Sequence, residues 1–150
     1  MRLEGLADTP IGFGRTLADE QGDTEADWRA GLAREGVRVQ AVVDGEPVAQ
    51  AGGFPGGFPG RSVPDGAITV FGVFVRPGAR GQGLLGLLVE EIALWGREND
   101  LHLVRLDVHE DNPRAQRAYE KLGFALDGTQ SPYPLDEGKR LLGMRRTVRP

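Results

Sequence analysis

The chain has 150 residues, 22 of them acidic and 18 basic, for a net charge of −4, and it contains no cysteine. That length points to one domain, 1–150, with enough chain to bury a core unaided by disulfides. The missing cysteines exclude disulfides, thiolate metal sites and a cysteine nucleophile, and the acidic balance excludes a global positive field, so neither nucleic acid nor membrane is expected as a partner.

The first residues carry acidic side chains and no signal-peptide core, and no window approaches the roughly 18 apolar residues of a membrane helix. A soluble, cytoplasmic protein is expected. Residues 2–7 and 24–34 read as short helices, the second capped by Thr24 with Asp27 three residues on, with Trp28 and Leu32 sharing a face. From Val37 the period becomes that of a strand. Val37–Val43, an Asp44-Gly45 turn and residues 46–53 make a hairpin signal. The unit Gly-Phe-Pro-Gly occurs twice over 53–60 and reads as a surface loop. Ala67–Val75 is apolar on both faces, Ile68, Val70 and Phe74 on one and Phe71, Val73 and Val75 on the other, as in a central strand. Gly72 within it marks a bulge or a close backbone approach.

Residues 82–98 read as a long helix with Leu84, Leu88, Ile92 and Trp95 in one stripe. Residues 101–108 form the next strand, with Val104, Leu106 and Val108 on one face and Arg105, Asp107 and then His109 on the other. A second helix is delimited by Asn112 as cap, Pro113 at its first position and Gly123 past its end. Residues 124–129 and 140–148 close the chain as strands, with a loop over 128–138. A central strand-helix-strand unit implies a right-handed crossover between parallel strands, and hairpins at both ends imply antiparallel pairing. The expected class is α+β, in three layers α/β/α around a mixed, mostly antiparallel sheet.

The segment from Val73 to Gly86 runs from a buried strand through a glycine-rich turn into a helix. Such a turn presents backbone N–H groups at the positive end of a helix dipole, a ready site for phosphate, and Arg76 and Arg80 add charge. A Walker loop is excluded because Leu87-Leu88 follows where Lys-Ser or Lys-Thr is needed. Gly81, Gly83 and Gly86 match a dinucleotide fingerprint, and Asp107 follows at a strand. Against that NAD(P) reading, residues 76–80 separate the first glycine from its strand, and too little chain follows Asp107 for the remaining strands.

Arg80-Gly-Gln-Gly-Leu-Leu resembles the Arg/Gln-x-x-Gly-x-Gly/Ala turn of the GNAT superfamily of acyl-CoA-dependent N-acetyltransferases, with Leu85 standing where Gly or Ala is usual. A second stretch, Asn112-x-x-Ala115-x-x-x-Tyr119-x-x-x-Gly123-Phe124, is similar to that family's helix at every fixed position. The resemblance spans roughly residues 2–148. It implies acetyl-CoA as acyl donor, no metal, and transfer to a primary amine by direct attack, since there is no cysteine for a covalent relay. It implies cofactor contacts from the backbone around Val73, Phe74 and Val75, from the turn Arg80, Gly81, Gln82, Gly83, Leu84, Leu85 and Gly86, and from the Asn112 side chain. It also implies Tyr119 as the acid at the leaving thiolate. Tyr119 is equally placed to close the helix end on Phe124.

Asp107, in a Leu-Asp-Val context where some members carry Glu, is the candidate base, acting directly or through water, with His109 on the same face. A pairing of Asp107 with Arg105 is the competing use of that side chain. Arg114 and Arg117 are candidates for the 3′-phosphate of the cofactor. By analogy the acceptor, a small-molecule amine or a protein N-terminus, sits between the 128–138 segment and the N-terminal helices, where Asp127, Asp136 and Glu137 offer negative charge. The family's opening edge strand is absent, or the start has been placed too far downstream. A free edge at Val37–Val43 then invites a homodimer. A catalytically silent acyl-CoA-binding module is the alternative that the same signature allows.

Overall fold

The computed structural model describes residues 1–148. Helix α1 (Arg2–Asp8) stops at Thr9, whose φ of −137° and ψ of 74° lie outside the helical region that the following Pro10 disfavours. Helices α2 (Leu17–Gln21) and α3 (Glu25–Leu32) each begin with a reciprocal capping box, Thr16 with Asp19 and Thr24 with Asp27. At five residues α2 is too short to show a period, and the sequence reading passed over it. Helix α3 buries none of its side chains, so Trp28 and Leu32 do not join a core.

Strands β1 (Val37–Val43) and β2 (Glu46–Pro55) meet at Asp44 and Gly45, both with positive φ, the conformation of a two-residue hairpin turn. Strand β2 runs into the first Gly-Phe-Pro-Gly unit, correcting its assignment to a surface loop. Gly53 is a packing residue in that strand, since a Cβ there would lie 2.6 Å from Ile92 Cγ2 and 3.0 Å from Ile68 Cδ1. Phe54 then meets Phe58 and Phe71 edge to face.

Strand β3 (Ala67–Val75), helix α4 (Leu84–Glu98) and strand β4 (Leu103–His109) form the crossover unit; α5 (Pro113–Lys121), β5 (Ala125–Tyr133) and β6 (Asp136–Thr147) complete the fold. The six-stranded sheet has the order β1-β2-β3-β4-β6-β5, antiparallel throughout except for β3 beside β4. That is the mixed sheet expected, and it lacks the run of parallel strands a dinucleotide-binding fold requires. The 128–138 segment is strand and hairpin rather than loop. Its register breaks between Leu126 and Gln130 around Gly128, which disguised a strand as a turn.

On one face of the sheet, Ile68, Val70, Val104, Leu106, Val108 and Met144 pack with Leu88, Val89 and Ile92 of α4 and with Tyr119 and Phe124. On the other, Leu6 and Phe13 from the N-terminal segment cover Phe74. This corrects the face assignment of β3. Gln50 pairs with Phe74 and Gly52 with Phe71, so Ala51 alone opposes two residues, Gly72 and Val73. Gly72 takes a left-handed φ of 61°. The extra residue resets the alternation, which sends Phe74 to the N-terminal side and Val73 and Val75 to the main core.

Ile92 has no exposed surface and touches the region where β2, β3 and α4 meet. Ile92→Ala is expected to lower the unfolding free energy by about 2–5 kcal/mol, read from chemical denaturation, with the slope on denaturant unchanged.

Candidate active site

Strands β3 and β4 pair over three residues only, Ala67 with Leu103, Ile68 with Val104 and Thr69 with Arg105. Beyond this point β3 continues beside β2 and β4 beside β6, so a gap opens between two adjacent strands. The Gly72 bulge lies on the diverging limb. Arg76 N–H donates to Val48 O across β2 (2.9 Å). By strand alternation the amides of Phe74 also face β2, and those of Val73 and Val75 face the gap. The Val75 carbonyl accepts from Arg80 Nε at 2.9 Å.

The turn after β3 ends at the N-terminus of α4. Gly81 and Gly83 both have φ of 77°, Gly83 is the N-cap, no side chain caps the helix and its first turn holds no acidic residue. The first intrahelical bond runs from Leu87 N–H to Gly83 O, leaving the preceding amides free. A Cβ at Gly81 or Gly83 would meet nothing within 4 Å, so these glycines serve conformation and leave open space before the turn. Leu85 packs against the main core rather than into that space. Gly86 approaches Leu122 after α5. Around the turn, Arg76 is held bidentately by Glu4 (2.9 and 2.7 Å) and Arg80 by Asp8 (2.5 Å), tying α1 to it. The Arg76 guanidinium holds the Glu4 carboxyl below its usual range, and Thr9 and then Arg80 do the same for Asp8. Gln82 makes only a long contact to Gly78 O.

Helix α5 starts where Asn112 Oδ1 accepts from Ala115 N–H (3.3 Å), which occupies that oxygen and leaves the side-chain NH2. It ends in a Schellman motif, with Phe124 N–H on Tyr119 O and Gly123 N–H on Glu120 O. The Tyr119 and Phe124 rings meet edge to face with centroids 5.6 Å apart, so Tyr119 does close the helix end. Burial pushes the Tyr119 phenol well above its ordinary value of 10.0. Its hydroxyl makes no hydrogen bond to the other described residues, and it is not among sealed unsatisfied atoms, since there are none. Arg114 and Arg117 are exposed.

Asp107 lies on the face opposite the main core. Its Oδ1 accepts from Arg105 Nη2 at 2.6 Å and from Arg61 Nη2 at 2.7 Å, and its Oδ2 has only a 3.4 Å contact to Arg105. The pairing with Arg105 was anticipated. Arg61, which reaches in from the β2–β3 connection and also donates to Ser131 Oγ, was not, and nothing in the sequence signals a contact across 46 residues. Gly143 lies opposite Asp107 in the register, and the carboxylate of Asp127 fills the place its side chain would take. Burial raises the Asp127 carboxyl, but Thr129, Arg105 and Arg145 outweigh that and hold it below its usual range. His109 is buried. Its Nδ1 accepts from Asp111 N–H, which puts the neutral ring's proton on Nε2, and the ring meets Tyr133 edge to face. Tyr133 donates to Phe13 O at 2.9 Å, joining the β5–β6 hairpin to the N-terminal segment. An open cleft of about 540 Å³ lies there, lined by residues including Leu6, Pro10, Leu17 and Leu135.

No three metal-ligating side chains cluster among the described residues, and no helix among them is long and apolar enough to cross a membrane. The family model described as "Acetyltransferase (GNAT) family" matches residues 6–124. No curated protein sequence matches the chain. Among solved structures, a ribosomal-protein-alanine N-acetyltransferase from Brucella melitensis is 19% identical with a TM-score of 0.67, over 97% of this chain and 88% of that one. A phosphinothricin acetyltransferase from Sinorhizobium meliloti, solved with AcCoA, is 16% identical with a TM-score of 0.72, over 97% and 78%. An aminoglycoside 6′-N-acetyltransferase complexed with coenzyme A is 16% identical with a TM-score of 0.66, over 99% and 91%.

Both tyrosines of the chain are raised by burial. A phenol raised in the folded state contributes stability fully below its unfolded value near 10, and that contribution is lost as pH rises above it. Absorbance titration is therefore expected to show both tyrosines ionising at higher pH in the native protein than in denaturant, where they titrate near 10, with Tyr119 the more strongly displaced.

Proposed function

Because this chain belongs to the acetyltransferase (GNAT) family, we propose that the gap between β3 and β4 receives acetyl-CoA and that a single domain, residues 1–150, transfers its acetyl group directly to a primary amine. The observation that carries this reading is the three-residue parallel pairing, opening beside a turn whose two left-handed glycines precede the uncapped N-terminus of a 15-residue helix. Free amides at a helix N-terminus, with open space before them, suit a pyrophosphate. The gap-facing amides of Val73 and Val75 suit the pantetheine arm; Phe74, whose amide faces β2, lies between them, just past the bulge. Arg80, Gln82, Leu84, Leu85 and Gly86 shape the turn, and Asn112, whose NH2 is left over from capping, follows β4 at the same end of the gap.

Acetyl-CoA supplies the acetyl group as a thioester. The amine nitrogen forms a bond to the acetyl carbon, the carbon–sulfur bond breaks, nitrogen loses one proton and sulfur gains one. An alkylammonium has no lone pair, so a proton must leave before attack. Asp107 Oδ2, the less encumbered carboxylate oxygen, is assigned that proton through water. Tyr119, raised by burial, stays protonated at any working pH and donates its hydroxyl hydrogen bond to the departing sulfur. A homodimer through the β1 edge, which is bonded only to β2 among the described residues, belongs to the same reading. Sedimentation as a monomer at all concentrations would remove the dimer alone.

Calorimetry is expected to show saturable acetyl-CoA binding that weakens at least about tenfold in Gly83→Leu, because a left-handed φ strains any side chain and bulk invades the phosphate position. In Tyr119→Phe, binding is expected to persist while kcat falls about 10²- to 10⁴-fold. Binding with no thiol release on any amine would leave the silent-module alternative.

A further inference from the structure

The solved structures similar to this chain act, by name, on a ribosomal-protein alanine, phosphinothricin and an aminoglycoside, so the fold leaves the acceptor class to the side chains that face it. Those side chains run against the charge of the whole molecule. The chain carries a net −4, yet beside the gap Arg61 and Arg105 share one carboxylate, that of Asp107, while Asp127 and the exposed Arg145 lie further along the same face. Arg105 and Asp107 are nearly sealed, at 2% and 8% side-chain exposure, and Arg61 is at 15%. On the same face, Arg38 lies over the Phe71 ring and donates to Gly31 O with no carboxylate partner. Burial, together with the like charges of Arg2 and Arg34, lowers the Arg38 guanidinium.

Two largely buried guanidiniums on one carboxylate favour a further anion. Arg61 has the means to hold one. Its Nη1 donates to Ser131 and one Nη2–H to Asp107, while its Nε has no hydrogen-bond partner. No buried side-chain nitrogen among the described residues is unsatisfied, so that Nε opens to solvent rather than into packing. A planar fork with free donors, fixed in direction by Ser131 and Asp107, matches a carboxylate.

We propose that the acceptor is a small amine carrying a carboxylate, amino-acid-like, and that Arg61 is the residue that binds that carboxylate. This rests on the acetyltransferase reading and adds the acceptor's chemistry to it. It also replaces the expectation that the acidic residues Asp127, Asp136 and Glu137 attract a cationic amine. Asp127 is already engaged with Thr129, and Asp136 caps the Gly138 amide of its own turn.

The test uses the full chain with a panel of L-amino acids, each paired with its carboxamide, plus a polyamine, following thiol release. Amino acids are expected to exceed their amides in kcat/KM by about 10- to 100-fold. In Arg61→Gln the KM for amino acids is expected to rise by a similar factor with kcat changing less, and the preference over amides to collapse; Arg61→Lys should restore part of it. Arg29→Gln, the same charge change on exposed α3, should move neither value. Amides or the polyamine used equally well by the native enzyme would overturn the proposal, and that comparison needs no variant to fold. So would an equal loss for both members of each pair in Arg61→Gln. If acetyl-CoA binds but no amino acid is acetylated, only this inference fails; if acetyl-CoA does not bind, the underlying reading fails with it.

Discussion

A parallel strand pair that lasts three residues and then parts is the constraint on which the rest of this structure depends. Adjacent strands in a sheet normally satisfy one another along their length, and parting them leaves backbone groups facing a gap. Here each strand has a second neighbour that carries it onward, β2 for β3 and β6 for β4. The Gly72 bulge redirects β3 and reverses which side its later residues face. Phe74 is thereby delivered to Leu6 and Phe13, so the N-terminal segment docks because the strand is irregular. A regular β3 would put Phe74 in the main core and leave that segment without its anchor.

The two ends of the gap differ in electrostatic character. At the glycine turn, the arginines are partly exposed and each has a carboxylate on α1, so those pairs are individually weak and exchangeable. An anion arriving at the turn competes for guanidiniums already in place. At the other end, around Asp107, the pairs are buried, and separating them would strand a charge in a poor solvent. Arg105 and Asp107 are therefore permanent features, while Glu4 and Asp8 are partners that can be replaced.

Much of this was legible in the sequence. The boundaries of Val37–Val43 and Ala67–Val75, the caps at Thr24 and Asn112, the Asp44-Gly45 turn and the parallel unit follow from local chemistry, which acts within a few residues. What escaped was of two kinds. Glycine and proline were read as loop signals at Gly53 and Gly128, where they answer to packing and to a bulge inside strands. The faces of β3 were assigned by strict alternation, which one inserted residue reverses. The site divides in the same way: the turn and the Asn112 helix are contiguous motifs, whereas Arg61, Ser131, Thr69 and Gly143 reach Asp107 and Arg105 through space and leave no spacing to find.

Arg61 shows why this limit matters for chemistry. The segment that carries it, between β2 and β3, holds glycine-rich turns that by composition serve only to connect strands. Its guanidinium nevertheless joins that connection to β4 through Asp107 and to β5 through Ser131. The segment is therefore part of the face it crosses, and whatever binds to Arg61 acts on Asp107 as well, because both guanidiniums share one carboxylate oxygen. An anion drawing Arg61 toward itself lightens the load on Oδ1. In the proposed reading, an acceptor held by Arg61 and the carboxylate of Asp107 are coupled through one shared contact, with the free energy of one interaction felt in the other.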